Sequence, residues 1–282
     1  MSRTSTPYFR QKPGGSRQMH RPICPFRPLL RGNRSIRFSP FFSACGLCML
    51  FSEIWKQYCL TFPVGGGSYN WWYFPFQLCS APMYILLFLP YIKKQRTAHA
   101  CLTFLMSFGL LGGIAVFADT TGLHYPLPAL TIHSYMWHFL LILIGCFAAA
   151  ARFFCKPPNA ASAFLAVPDS TDSGQSPENS PKSSSSLSVF RSFADAVYLY
   201  FAFCAAASCI NLICGRYGTI NMFYFKPAYP MEQILFSDLV PVLGNGAVIL
   251  LYMAMTVLGA GILFLFWYRL LLPARRQTNH PS

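Results

Sequence analysis

The chain is punctuated by runs of about twenty apolar residues, and that spacing limits what it can fold into more than any other feature. The runs cover about 38–58, 72–92, 98–118, 128–152, 190–214 and 246–271. A helix needs about 20 apolar residues to cross the ~30 Å hydrocarbon core of a bilayer. Inside that core only helices and closed barrels satisfy their own backbone groups, and runs of this length read as helices. Over half of the 282 residues are hydrophobic and 11% are charged, against ~25% in a typical soluble domain. The expected fold is therefore all-α: a polytopic transmembrane helical bundle of about six spans, covering residues 38–271.

The net charge of +14 could point to nucleic acid, but its distribution points elsewhere. The tail 1–37 is rich in Arg and has no acid. Lys93, Lys94, Arg96, Arg152, Lys156, Lys182, Arg191, Arg275 and Arg276 fall on the same side when six spans are counted. The opposite side holds Lys56, Arg216 and Lys226. Basic loops stay in the cytoplasm, so both termini are expected there, in a multi-pass protein of the cell membrane. The tails 1–37 and 272–282 and the Pro/Ser-rich linker 153–188 are expected outside the bilayer. Membrane lipids, with anionic headgroups at the basic tails, are the expected partners. No nucleic acid is.

Ionisable groups at membrane depth are costly and usually functional. His133 and His138 lie inside the fourth span, roughly 8 and 15 Å from its outer end at ~1.5 Å per residue. Cys79 lies about 10 Å into the second span on the same arithmetic, and Asn211 is somewhat shallower in the fifth. The histidines project about 140° apart at ~3.6 residues per turn, so at most one should face a given site. Depth slightly favours His133 as the partner of Cys79. Around Cys79 the run WWYFPFQLCSAP combines Gln77, Ser80 and two prolines. Pro82 is expected to free the Leu78 carbonyl and kink the span beside the thiol. Glu53, near the outer end of the first span, is either an interfacial acid or a partner for histidine. The pair Cys45 and Cys48 falls inside a span and reads as packing. The cysteines and histidines lack zinc spacing, so neither a metal nor a cofactor is expected. Gly109, Gly112, Gly113, Gly259 and Gly261 should allow close helix approach.

The runs PFQLCS (75–80), HSYMWHFLLIL (133–143) and GTINMFYFKP (218–227) resemble those of the YwaF-like family of integral membrane proteins, over roughly residues 38–270. Eukaryotic relatives of that family include a transmembrane acyltransferase acting on ether phospholipids. The resemblance implies an intramembrane Cys/His pair in which the cysteine carries an acyl thioester and a histidine assists. Cys79 matches the family's cysteine, and His138 best matches its histidine, with His133 second. Gly218, Asn221, Lys226 and Pro227 match a loop whose role is structural. Family members tend to have one more span before the one starting near Phe38, and here that region is the basic tail.

A Cys/His pair is suited to acyl transfer: imidazole takes the thiol proton and the thiolate attacks an ester carbonyl. Ser80, Gln77, Asn211 and Asn221 are candidate donors to the oxyanion. A lipid acceptor would make the protein a transferase, and water a hydrolase. Two other classes remain open: a transporter or channel with a histidine proton relay, and a membrane scaffold without chemistry.

Overall fold

A computed structural model describes residues 40–154 and 182–277. The described residues are helical, with no strand among them. Helix α1 is Pro40–Cys59, continued by one π turn, Leu60–Val64. Helix α2 is Ala81–Tyr91, α3 Gln95–Ala118 and α4 Pro128–Phe154. Helix α5 is Lys182–Cys214 and α6 Asn245–Gln277. The expected tail 1–37 and residues 155–181 of the linker lie outside the described residues. Helices α4, α5 and α6 each run some way into stretches expected to be linker or tail.

Four helices are long and apolar enough to cross a membrane: Gln95–Ala118, Pro128–Arg152, Phe190–Cys214 and Asn245–Leu271. They coincide with the last four expected spans and fit an integral membrane protein. The other two expected spans differ. Glu53, Lys56 and Gln57 dilute the apolar character of α1. The expected span 72–92 is a helix only over Ala81–Tyr91, about 16 Å at ~1.5 Å per residue. Proline explains this correction. Pro82 sits in the first turn of α2, where its missing N–H costs nothing, so it begins a helix instead of kinking one. The Leu78 carbonyl keeps a partner, accepting from Ala81 N at 3.3 Å.

Helix α3 is the central element, 67% buried over its apolar window against 22% and 28% for the windows in α5 and α6. Without a hydrophobic drive between helices in lipid, close backbone approach and side-chain interdigitation hold a bundle together. The glycines serve that end. A β-carbon at Gly113 would stand 3.0 Å from Leu141 Cβ and 3.2 Å from the His138 carbonyl oxygen. One at Gly145 would stand 2.8 Å from Leu110 Cβ. Gly259 opposes Leu111 and Gly261 opposes Phe193. The π turn Leu105–Gly109 within α3 turns Gly109 toward Pro82 and Gly112 toward the Cys79 backbone. Phe108 stacks on Phe104 and on Tyr200, tying α3 to α5.

Contacts between helix ends sort the charges. At one end Arg96 makes a bidentate pair with Asp195, at 2.7 and 2.6 Å, Arg152 donates to Ser192, and Phe41 meets Phe147. Lys93, Lys94 and Arg191 neighbour these residues in sequence. At the other end Trp71 stacks on Tyr217 and Tyr224 meets Tyr252. Glu53, Asp119, Glu232 and Asp238 belong to this second half, with Lys56, Arg216 and Lys226.

Candidate functional site

Cys79 lies in an irregular turn that enters α2. Ser80 N donates to the Gln77 carbonyl at 2.9 Å, and Ser80, which is buried, immediately precedes the helix. Gly112 of α3 opposes the Cys79 backbone, where a β-carbon would reach Cα and N at 3.7 Å. The decisive link runs to α4: the Trp137 indole Nε1 donates to the Cys79 carbonyl at 3.2 Å. The cysteine turn is thus fastened to the helix that carries both histidines, one residue before His138.

The two imidazoles have different settings. His138 is buried and its Nδ1 lies 2.7 Å from the Ser134 carbonyl. A carbonyl only accepts, so Nδ1 carries a proton, and in the neutral ring Nε2 keeps its lone pair. His133 points elsewhere, in line with the 140° separation. Its Nε2 pairs with Ser52 Oγ of α1, and its ring lies between Trp55 and Trp137. Its Nδ1 is buried and has no hydrogen-bond partner. Among the described residues no hydrogen bond joins the Cys79 sulfur to either ring.

On α1, Glu53 belongs to a polar group with Lys56 and Gln57. Glu53 is buried and pairs with Lys56 at 2.8 Å. Gln57 Nε2 donates to Glu53 Oε1 at 2.6 Å and to the Tyr73 carbonyl at 2.8 Å. Glu53 Oε2 and Gln57 Oε1 are buried and unpartnered. The spacing was readable, since residues three and four apart share a helix face. Ser52 carried no such signal, because its partner is far away in sequence.

The amides proposed as oxyanion donors hold a loop. Asn211 Nδ2 donates to the Met222 carbonyl at 2.9 Å, and its Oδ1 accepts from Met222 N at 2.6 Å. Gln77 Nε2 donates to the Asn221 carbonyl and Gln77 Oε1 accepts from Phe223 N. Asn221 Oδ1 accepts from Lys226 N at 2.9 Å. Phe223 and Tyr224 have φ of 56° and 59°, which costs residues with a β-carbon ~1–3 kcal/mol each. The bonds from Asn211 and Gln77 offset that strain. Gly218 lets the loop approach Trp71, whose Cδ1 would lie 2.7 Å from a β-carbon there. Asn211, Asn221 and Gln77 are therefore brought together, and they sit beside the Cys79 turn through Gln77.

Among the described residues no group of three or more His, Cys, Asp or Glu could hold a metal ion. Cys45 and Cys48 are both free thiols. No family model, curated protein or solved structure matches the chain.

Proposed function

We propose that the protein transfers an acyl group from a membrane lipid ester through a thioester on Cys79, with His138 as the general base. The observation that carries this reading is the Trp137 bond to the Cys79 carbonyl, which ties a cysteine at a helix entrance to the histidine-bearing helix. The His138 tautomer adds to it, since its Nε2 lone pair is what a base must offer. The resemblance to the YwaF-like family supports the same pair. In the resting state the sulfur and imidazole are not hydrogen-bonded. Catalytic contacts often tighten only when substrate is bound.

In this reading six segments are embedded in the membrane, α1 and the short α2 among them, with both termini in the cytoplasm of a multi-pass cell-membrane protein. The gathering of Lys93, Lys94, Arg96, Arg152 and Arg191 at one end, against Lys56, Arg216 and Lys226 at the other, supports that orientation. The basic end then faces anionic headgroups. The test is labelling of the purified protein by an acyl probe that captures thioester-forming cysteines. Labelling is expected in the native protein and lost in Cys79→Ala. Undiminished labelling of Cys79→Ala overturns the reading.

A second reading, transport with a histidine proton relay, is favoured by one observation: Glu53 and His133 each bury an unpartnered polar atom. Proton uptake by proteoliposomes under a pH gradient, abolished by His133→Ala but not Cys79→Ala, would favour it.

A further inference from the structure

Ser52 and His133 form a pair that acyl transfer at Cys79 does not use. Ser52 Oγ of α1 and His133 Nε2 of α4 are 2.5 Å apart. A hydroxyl held on an imidazole nitrogen is the arrangement that activates a serine nucleophile. The pair stands assembled in the resting protein. A third group usually orients such a base. Here packing does so: the His133 ring centroid lies 5.6 Å from that of Trp55 and 5.8 Å from that of Trp137. His133 Nδ1 is buried with no hydrogen-bond partner, and a bare buried polar atom costs ~1–3 kcal/mol. An exception of that kind asks for a role beyond joining two helices.

A lipid can reach the pair. Phe51 and Trp55 of α1 and Ile132 and Met136 of α4 are exposed. Ser52 follows Phe51 and precedes Trp55 by three residues, and His133 stands in the same register between Ile132 and Met136. Residues one and three apart on a helix lie within about 100° of each other. Ser52 and His133 therefore border exposed apolar faces, at the seam between α1 and α4. Depth agrees. Helix α4 has 27 residues, ~40 Å at ~1.5 Å each, close to the ~40–45 Å of a bilayer with its headgroups. His133 lies ~8 Å from the start of α4 and Ser52 ~10 Å from the end of α1. The headgroup layer is roughly 5–8 Å thick on each side, so both sit near its boundary with the hydrocarbon, where the ester groups of glycerolipids lie.

We infer that Ser52, with His133 as its base, is a second nucleophile for membrane-lipid esters, reached from the bilayer through the seam between α1 and α4. This rests on the membrane placement of α1 proposed above, and not on the thioester. Ser52 Oγ passes its proton to His133 Nε2 and bonds to the ester carbonyl carbon. The ester C–O bond breaks, and the departing alcohol takes the proton from His133. Water, giving a proton to the same nitrogen, then attacks the acyl-serine carbonyl. The bond to Oγ breaks, Ser52 regains its proton from His133, and a free fatty acid leaves.

A long-chain alkyl fluorophosphonate tests it. This probe loses fluoride to a serine that a base has activated and leaves ordinary serines unmodified. It is added to the full chain in phosphatidylcholine nanodiscs, and peptide mass spectrometry locates the adduct. Cys79→Ala is the background, so the result stands whatever becomes of the thioester reading, which the acyl probe decides on the native chain. An adduct on Ser52 is expected. His133→Gln keeps an amide that can hydrogen-bond Ser52 but takes no proton, and it should slow labelling by about 10²–10⁴-fold with little change in the unfolding midpoint. No adduct on Ser52, or labelling at an equal rate in His133→Gln, overturns the inference and leaves the Ser52–His133 bond as a link between helices.

Discussion

Trp137 donates its indole N–H to the backbone carbonyl of Cys79, at 3.2 Å. Cys79 belongs to an irregular turn and Trp137 to a long helix, so this bond fastens the cysteine turn to α4. Trp137→Phe keeps most of the ring and removes the donor. It should cost about 1–2 kcal/mol in stability, as loss of a partner for a buried carbonyl does. Labelling of Cys79 by an acyl probe should fall with it. Thermal unfolding in detergent, alongside the labelling rate, checks both.

The Glu53–Lys56 pair is nearly sealed from solvent, with side-chain exposures of 5% and 15%. Removing one partner strands a buried charge, and Lys56→Ala should destabilise by about 3–5 kcal/mol. The double change Glu53→Gln with Lys56→Met should recover much of that loss. A double-mutant cycle on unfolding free energy measures it.

The Arg96–Asp195 pair has ideal bidentate geometry, yet the Arg96 side chain is 68% exposed. Solvent screening limits such a pair to about 1 kcal/mol or less. Arg96→Ala should shift the unfolding midpoint far less than Lys56→Ala in the same assay.

Gly113 and Gly145 sit where α3 and α4 pack against each other. At Gly145 a β-carbon would come within 2.8 Å of Leu110 Cβ. Gly145→Ala must push the helices apart, and overpacking of this kind costs about 1–3 kcal/mol. Gly66→Val tests the contrast differently: no atom lies near Gly66, but its φ of +58° penalises a β-branched residue through the backbone. Unfolding measurements on both variants separate crowding from backbone strain.

Much of this architecture was legible in the sequence, for a physical reason. Runs such as 98–118 and 246–271 are long and almost free of charge, so length and hydropathy alone bound them. The run 72–92 is just as free of charge but holds Pro75, Pro82 and Pro90, and proline acts by position. At the start of a helix Pro82 is favourable, and in its interior it is disruptive. Nothing in composition distinguishes the two, whereas the 3₁₀ turn at Trp71–Tyr73 does. The 140° separation of His133 and His138 followed from helix geometry, and the two rings indeed have different partners. Which partners they have was not readable. Ser52 meets His133 across 81 residues of sequence, and only the packing of α1 against α4 brings them together. Asn211 and Gln77 looked like site donors because amides are versatile. Their bonds to the strained 221–226 loop depend on a backbone conformation that no residue type there announces.

The central claim gives the two histidines different duties: His138 as base for Cys79, His133 as a partner of Ser52. The most direct test compares acyl-probe labelling of Cys79 in His138→Ala and His133→Ala variants of matched stability. The account predicts that His138→Ala slows labelling by about 10²–10⁴-fold, the usual contribution of a positioned base. His133→Ala should label at close to the native rate. Labelling that survives in His138→Ala, or falls equally in both variants, would contradict it.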